Sequence, residues 1–439
     1  MTREPYALPA IRTDIPGPAS QALAHRLARV ESRNITSLRP QPPIFWTEAW
    51  NASVADADGN TYIDLTSGFG VAFAGHSNAR VAAAIASQSA RMAHGLGDVQ
   101  PPDVKVRLLE KLAAIAPGDL SVSILGSDGA DAVEAALKTA VMRTGRTGVL
   151  AFEGGYHGLS YGALSVTWRH DFRDPFLQQL NPGIHFAPYP AGPPDDDAGS
   201  LDRCMTAVAR IIAESGDAIG AIIVEPIQGR GGLVVPPEGF LCRLRELCNG
   251  ANRVLIFDEI YTGMGRTGSW FACSDDPAIC PDILTVGKAL TGSIPLSAAI
   301  GTPAVMSAWP ASAGEAIHTS TFLGNPVACA AALAQIEEIE THGYIERASI
   351  LGSRIAARSN IWVCDGLAAG VRGLGLLQGV RLDSRSTGLK AADALLQRGI
   401  LILAEGDGSV LAITPPACIG DAQLDHALDE IESVLRTNT

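Results

Sequence analysis

A chain of 439 residues that is 47% apolar, with 46 glycines and 27 prolines, is long enough to bury a large core and is composed like a globular α/β enzyme. A net charge of −13 argues against nucleic acid or an anionic membrane as the main partner, and no apolar run is long enough to span a bilayer. The eight cysteines form no CxxC pair and several lie in apolar runs, which points to reduced core thiols, a cytoplasmic protein and no metal site.

In chain order, residues 1–18 read as an irregular arm with no apolar stretch of the secretory kind. A helix is expected over 20–33, extended segments over 45–63 around the turn Asp56-Ala-Asp-Gly59, and a Gly-rich crossing over 64–71. Ala-rich helices follow over 78–92 and 102–115. From Val122 onward apolar strands (122–125, 148–152, 184–187, 221–224, 254–257, 283–286, 297–300) alternate with helices (131–143, 201–214, 238–249), which predicts a mostly parallel sheet covered on both faces. Helices over 326–341 and 344–359 lead into a short α+β tail. Its expected elements are a strand over 373–382, a helix over 388–398, strands over 400–404 and 410–414, and a last helix with Leu424, Ala427, Leu428, Ile431 and Leu435 on one face. The expected architecture is α/β. Residues 1–65 form an arm and part of a small domain, 66–327 the large domain, and 328–439 the rest of the small α+β domain built from both chain ends.

Of 33 basic residues only five are lysines, and four of these (Lys105, Lys111, Lys138, Lys390) fall in helix-like polar patterns. Lys288 alone closes an apolar strand, after Gly287. An amine desolvated there loses basicity and becomes a nucleophile toward carbonyls. Two neighbouring strand candidates also end in acids, Val224 before Glu225 and Phe257 before Asp258-Glu259. Ligands of open α/β sheets bind at such strand ends. Upstream, the turn Ser127-Asp-Gly129-Ala130 opens a helix whose first N–H groups can face a phosphate. In Gly154-Gly-Tyr156-His157-Gly158, glycines leave room for a planar ring against Tyr156. A phosphate cradle, an aromatic plate, a strand-end acid and a strand-end lysine together describe a site for pyridoxal 5′-phosphate (PLP).

At this point the chain resembles the class III aminotransferases of PLP fold type I over nearly its whole length. The matching runs include Asp64-Leu-Thr-Ser-Gly68, Gly129-Ala-Asp-Ala-Val-Glu-Ala-Ala-Leu-Lys138, Tyr156-His-Gly158, Glu225-Pro-Ile-Gln-Gly229, Asp258-Glu259, Gly265-Arg-Thr-Gly268, Gly287-Lys288 and Thr321-Phe-Leu-Gly-Asn-Pro326. The resemblance implies that Lys288 is the internal-aldimine lysine and the proton-moving base, and that Asp258 pairs with the pyridinium nitrogen. It further implies that Gly129 and Ala130 hold the phosphate, that Tyr156 stacks on the ring, and that Glu225 and Gln228 line the site. His157 and Ile260 are cofactor contacts on the same ground. Thr321 would reach the phosphate of the other subunit in an obligate homodimer.

The departures bear on substrate. Tyr261 stands where the family has Gln, Ser127-Asp128 where it has Asn-Ser, and Arg230 where it has Glu. Leu159 and Ala412 occupy the two positions at which relatives place carboxylate-gripping arginines, and with Phe69, Gln228 and Arg230 they are the substrate-side candidates. The expected reaction is amino-group transfer from a small-molecule primary amine or amino acid to a keto acid or carbonyl acceptor. The alternative is a racemase or epimerase of the same fold acting at an amine-bearing carbon.

Overall fold

The computed structural model describes residues 4–37, 42–191, 199–273 and 279–438. Three short strands come first: β1 (Trp46–Trp50), β2 (Ser53–Asp56) and β3 (Thr61–Asp64). The central sheet then takes β4 (Val122–Gly126), β5 (Gly148–Phe152), β6 (Ile184–Ala187), β7 (Ile219–Val224), β8 (Val254–Asp258), β9 (Ile283–Val286) and β10 (Ser297–Gly301). These seven strands lie in the order β4-β10-β9-β8-β7-β5-β6. Neighbours from β9 to β6 pair in parallel, while β10 runs antiparallel to both β4 and β9.

Alternating side chains of the buried strands enter two separate cores. From β7 and β8, Ile222, Val224, Leu255 and Phe257 join the larger core, while Ala221, Ile223, Val254 and Ile256 face the second. The helix Gly129–Thr144 packs on the second core through Val133, Ala136 and Ala140. Small residues on that face let it approach the sheet closely, so its N-terminus is held against the strand ends.

The C-terminal tail differs from its sequence reading in two places. The expected strand over 373–382 is a hairpin of β11 (Gly370–Leu374) and β12 (Leu377–Arg381), because Gly373 and Gly375 adopt positive φ and turn the chain. The expected strand over 400–404 is split. β13 (Ile400–Leu401) adds in parallel to β3, whereas β14 (Leu403–Glu405) pairs with β15 (Val410–Ile413). The first helix is also shorter than expected, Pro18–Leu27. No helix among the described residues is long and apolar enough to cross a membrane.

Candidate active site

Four adjacent parallel strands, β9, β8, β7 and β5, bring their carboxyl ends to one edge of the sheet. Lys288 follows β9, Asp258 closes β8, Glu225 follows β7, and Tyr156 and His157 follow β5. Residues far apart in sequence thus meet because strand order makes them neighbours.

Lys288 has φ 42°, a left-handed conformation that is costly for a side-chain-bearing residue and turns its amine back over the strand ends. Burial lowers its pKa to about 8, against the opposing pull of Glu225, Asp258 and Glu405, and with a smaller push from Arg230. Asp258 is 4% exposed. Its Oδ2 lies 2.7 Å from His157 Nδ1, and its Oδ1 accepts from Ile260 N at 3.1 Å and Thr285 Oγ1 at 3.2 Å. Burial alone would make His157 less basic. The hydrogen bond to Asp258 and the charges of Asp258 and Glu225 outweigh it and raise its pKa above the ordinary value. Glu225 is buried, which pushes its carboxyl up to about 7 even though Tyr156 N and Gly229 N each donate to it at 2.9 Å.

The helix Gly129–Thr144 begins beside this cluster. The N–H groups of Gly129 and Ala130 open its first turn, where no helix carbonyl can reach them, so they are available to an anion. Asp128, unexpected beside an anion site, is the N-cap: its Oδ1 accepts from Asp131 N at 3.1 Å, while Ser127 N donates to Asp131 Oδ2 at 2.9 Å. A Cβ on Gly158 would stand 2.7 Å from Ala130 Cβ, so the Tyr-His-Gly loop lies directly on this helix start.

A pocket of about 390 Å³ joins these groups, within the size range of small-molecule sites. Among the candidates, Gly129, Ala130, Tyr156, His157, Leu159, Glu225, Arg230, Asp258, Ile260 and Lys288 line it. Four do not. Phe69 is exposed outside it, and Thr321 sits on an exposed turn. Gln228 is turned away, donating to Glu153 O at 2.6 Å under the Gly154 turn. Ala412 is 1% exposed in an apolar cluster with Ile227, Leu233, Tyr261, Leu377 and Val410.

Two further residues stand at the site: Tyr261, marked in the sequence as a departure from the family's Gln, and Glu405, which the sequence reading missed. Tyr261 lines the pocket, its ring centroid 3.8 Å from Lys288 Nζ. Glu405, buried on β14, has its Oε2 3.9 Å from Arg230 Nε; burial raises its pKa against Arg230, Lys288 and Arg169. No local pattern marks Glu405, which acts across a long sequence separation.

These residues fit PLP: a desolvated amine, a buried acid clamped by three donors, a helix N-terminus, and glycines that keep the wall free of side chains. Fold and site together define a PLP-dependent enzyme of fold type I. The aminotransferase class-III family model matches residues 36–435. The chain is 36% identical to the putrescine aminotransferase of Pectobacterium atrosepticum over 92% of its length and 85% of that protein. It is 37% identical to the 4-aminobutyrate aminotransferase of Mycobacterium tuberculosis, covering 96% of this chain and 97% of that one. A solved amine transaminase from an uncultivated Pseudomonas species in its PLP-bound form superposes with a TM-score of 0.85 at 27% identity, over 94% of this chain and 99% of that one. The chain belongs to the class III aminotransferases. It transfers an amino group between an amine or amino acid and a keto acid or carbonyl acceptor, with PLP as cofactor. The racemase or epimerase alternative is not favoured by these relatives, which are all named aminotransferases or transaminases.

Proposed function

We propose that Arg230 is the carboxylate grip of this aminotransferase, so that the acceptor is a keto acid and the donor a small primary amine. One observation carries this. Among the described residues Arg230 is the only arginine lining the pocket, and its buried Nε makes no hydrogen bond. Its guanidinium lies 4.8 Å from the Tyr156 ring centroid and only loosely faces Glu405, so donors remain for a ligand. A planar guanidinium fork binds a carboxylate through charge-assisted bonds worth about 1.5–3 kcal/mol each. Arg230→Ala should therefore raise KM for the keto acid by about tenfold to a hundredfold at about 1.4 kcal/mol per factor of ten, with kcat much less affected. An unchanged KM would remove Arg230 from this role.

PLP supplies an electron sink for the carbanion at the amine-bearing carbon. Lys288 Nζ would anchor the cofactor and move the proton at that carbon. Asp258, oriented by His157, would keep a proton on the ring nitrogen. Gly129 and Ala130 would hold the phosphate through their N–H groups, and Ile260 and Tyr156 would bound the ring. Leu159 adds an apolar wall.

We also infer a homodimer with shared sites. Two segments with exposed apolar residues, Leu96 and Val99 on one and Ile317 and Phe322 on the other, are joined by Thr319 Oγ1 donating to Asp98 Oδ2 at 2.8 Å and by the His94–Phe322 ring contact. Thr321 is exposed on the turn beside Phe322, in keeping with a role at the partner's phosphate. A fully active monomer in light scattering would refute it. The same reading keeps residues 1–65 with 328–439 in a small domain around the large one of 66–327, supported by the β3–β13 pairing. It also places the enzyme in the cytoplasm, in keeping with its free cysteines; disulfides in the isolated protein would count against that.

A further inference from the structure

Tyr261 stands at the seam between the strand ends and the C-terminal sheet. Its phenolic oxygen lies 3.4 Å from Thr414 Oγ1, which in turn donates to Leu65 O at 3.1 Å. Two glycines make space for the ring. A Cβ on Gly70 would fall 2.4 Å from Tyr261 Cε2, and one on Gly229 would fall 2.4 Å from Cδ1. Gly70 has φ 82°, so no side chain is readily accommodated there in any case. The apolar residues Ile227, Leu233, Leu377 and Val410 complete the enclosure. A ring fixed in this way cannot rotate away from what it faces, and its face is presented to Lys288 Nζ at 3.8 Å. An aromatic face attracts an ammonium, most strongly where water is excluded.

We propose that Tyr261 is a positioning residue for Lys288, its ring face holding the amine over the strand ends and favouring the amine's protonated form. The contact also closes the pocket toward β15, so substrate approaches Lys288 from the Arg230 and Leu159 side. The charged groups facing the amine come from every element around it: Asp258 from β8, Glu225 after β7, Glu405 on β14 and Arg230 in the loop after Glu225. The ring adds a stabilisation of the ammonium that none of these supplies, and it does so without a charge that would compete for a substrate carboxylate. This inference rests on Lys288 as the reactive lysine, which borohydride labelling tests separately.

The experiment measures the amine itself. The full-length protein freed of cofactor is treated with an acylating reagent across a pH series, and modification of Lys288 is read by peptide mass. Lys390, exposed on its helix, serves as the internal reference, and only five lysines need resolving. Tyr261→Phe keeps the ring and should leave the midpoint of Lys288 modification in place. Mono-, di- and trifluorinated phenylalanine at position 261 keep the shape while draining the ring face of negative charge. They should lower the midpoint stepwise, by about one pH unit for the trifluorinated ring, which corresponds to about 1.4 kcal/mol. A midpoint that ignores fluorination overturns the proposal. So does a Tyr261→Phe midpoint already lowered as far as the trifluorinated one, since the hydroxyl would then be the group that matters.

Discussion

His157 Nδ1 and Asp258 Oδ2 lie 2.7 Å apart, both side chains almost fully buried at the end of β8. The imidazole occupies one carboxylate oxygen, so the cofactor-facing acid is aimed by a histidine from the end of β5, two strands away. The fold raises the pKa of His157, so its contribution to stability is complete below the ordinary histidine value of about 6.5 and is lost as pH rises through the raised value. His157→Gln should cost about 1.5–3 kcal/mol at pH 6 and less at pH 9, measured by urea unfolding of cofactor-free protein. An equal loss at both pH values would show that the charged pair contributes nothing.

Lys288→Ala should fold and lose turnover by several orders of magnitude, because anchoring and proton transfer both need this amine. Borohydride reduction of the loaded wild type, followed by peptide mapping, should mark Lys288; a mark on Lys138 would refute the assignment. With a pKa near 8, the amine is mostly protonated and unreactive below that pH. The rate at which cofactor-free protein captures added PLP should fall about tenfold per pH unit between 8 and 6. A flat profile there would exclude Lys288 as the titrating group.

Glu225 carries a pKa of about 7 in the fold, above its unfolded value near 4.5. A raised acid contributes stability that is complete below the unfolded pKa and declines as pH rises through the folded one. The wild type should therefore lose up to about 3 kcal/mol from this group between roughly pH 4.5 and 7. Glu225→Gln should remove that slope while keeping an acceptor for Tyr156 N or Gly229 N. If denaturant midpoints of wild type and variant run parallel across this range, Glu225 is not the titrating group.

Ala412→Arg, which would place an arginine where the family resemblance expects one, should not restore glutamate binding here. Ala412 is buried in the apolar cluster that includes Tyr261, so the longer side chain has neither space nor water. Overpacking costs about 1–3 kcal/mol, and an unpaired buried charge adds to that. The expected result is a lower melting temperature with no gain in KM for a dicarboxylic keto acid. A stable variant with tighter keto-acid binding would mean that the cluster opens.

Much of the site was legible because strand ends are marked locally. An apolar run that stops at Lys288, Asp258 or Glu225 announces burial followed by chemistry, and the glycines around Tyr156 and His157 announce a close approach. Asp128 is intelligible only in the folded chain, since a helix N-cap and an anion neighbour look alike until the accepted N–H is seen. Gln228 shares a motif with Glu225, yet its amide ties down the Gly154 turn; the direction of one side chain on an irregular loop has no periodicity to betray it.

The sequence by itself determined the alternation of strands and helices, the lysine and acids at the strand ends, and the family. Those features rest on local hydrophobic patterning and turn chemistry, which act over a few residues. The tertiary structure alone decided which strand ends are neighbours, that the ring of Tyr261 faces Lys288, that Glu405 lies opposite Arg230, and that Ala412 is sealed in a core. Each of these joins segments that are from 27 to 185 residues apart in the chain. Such contacts depend on sheet order and on the burial of whole faces, neither of which a short stretch of sequence encodes.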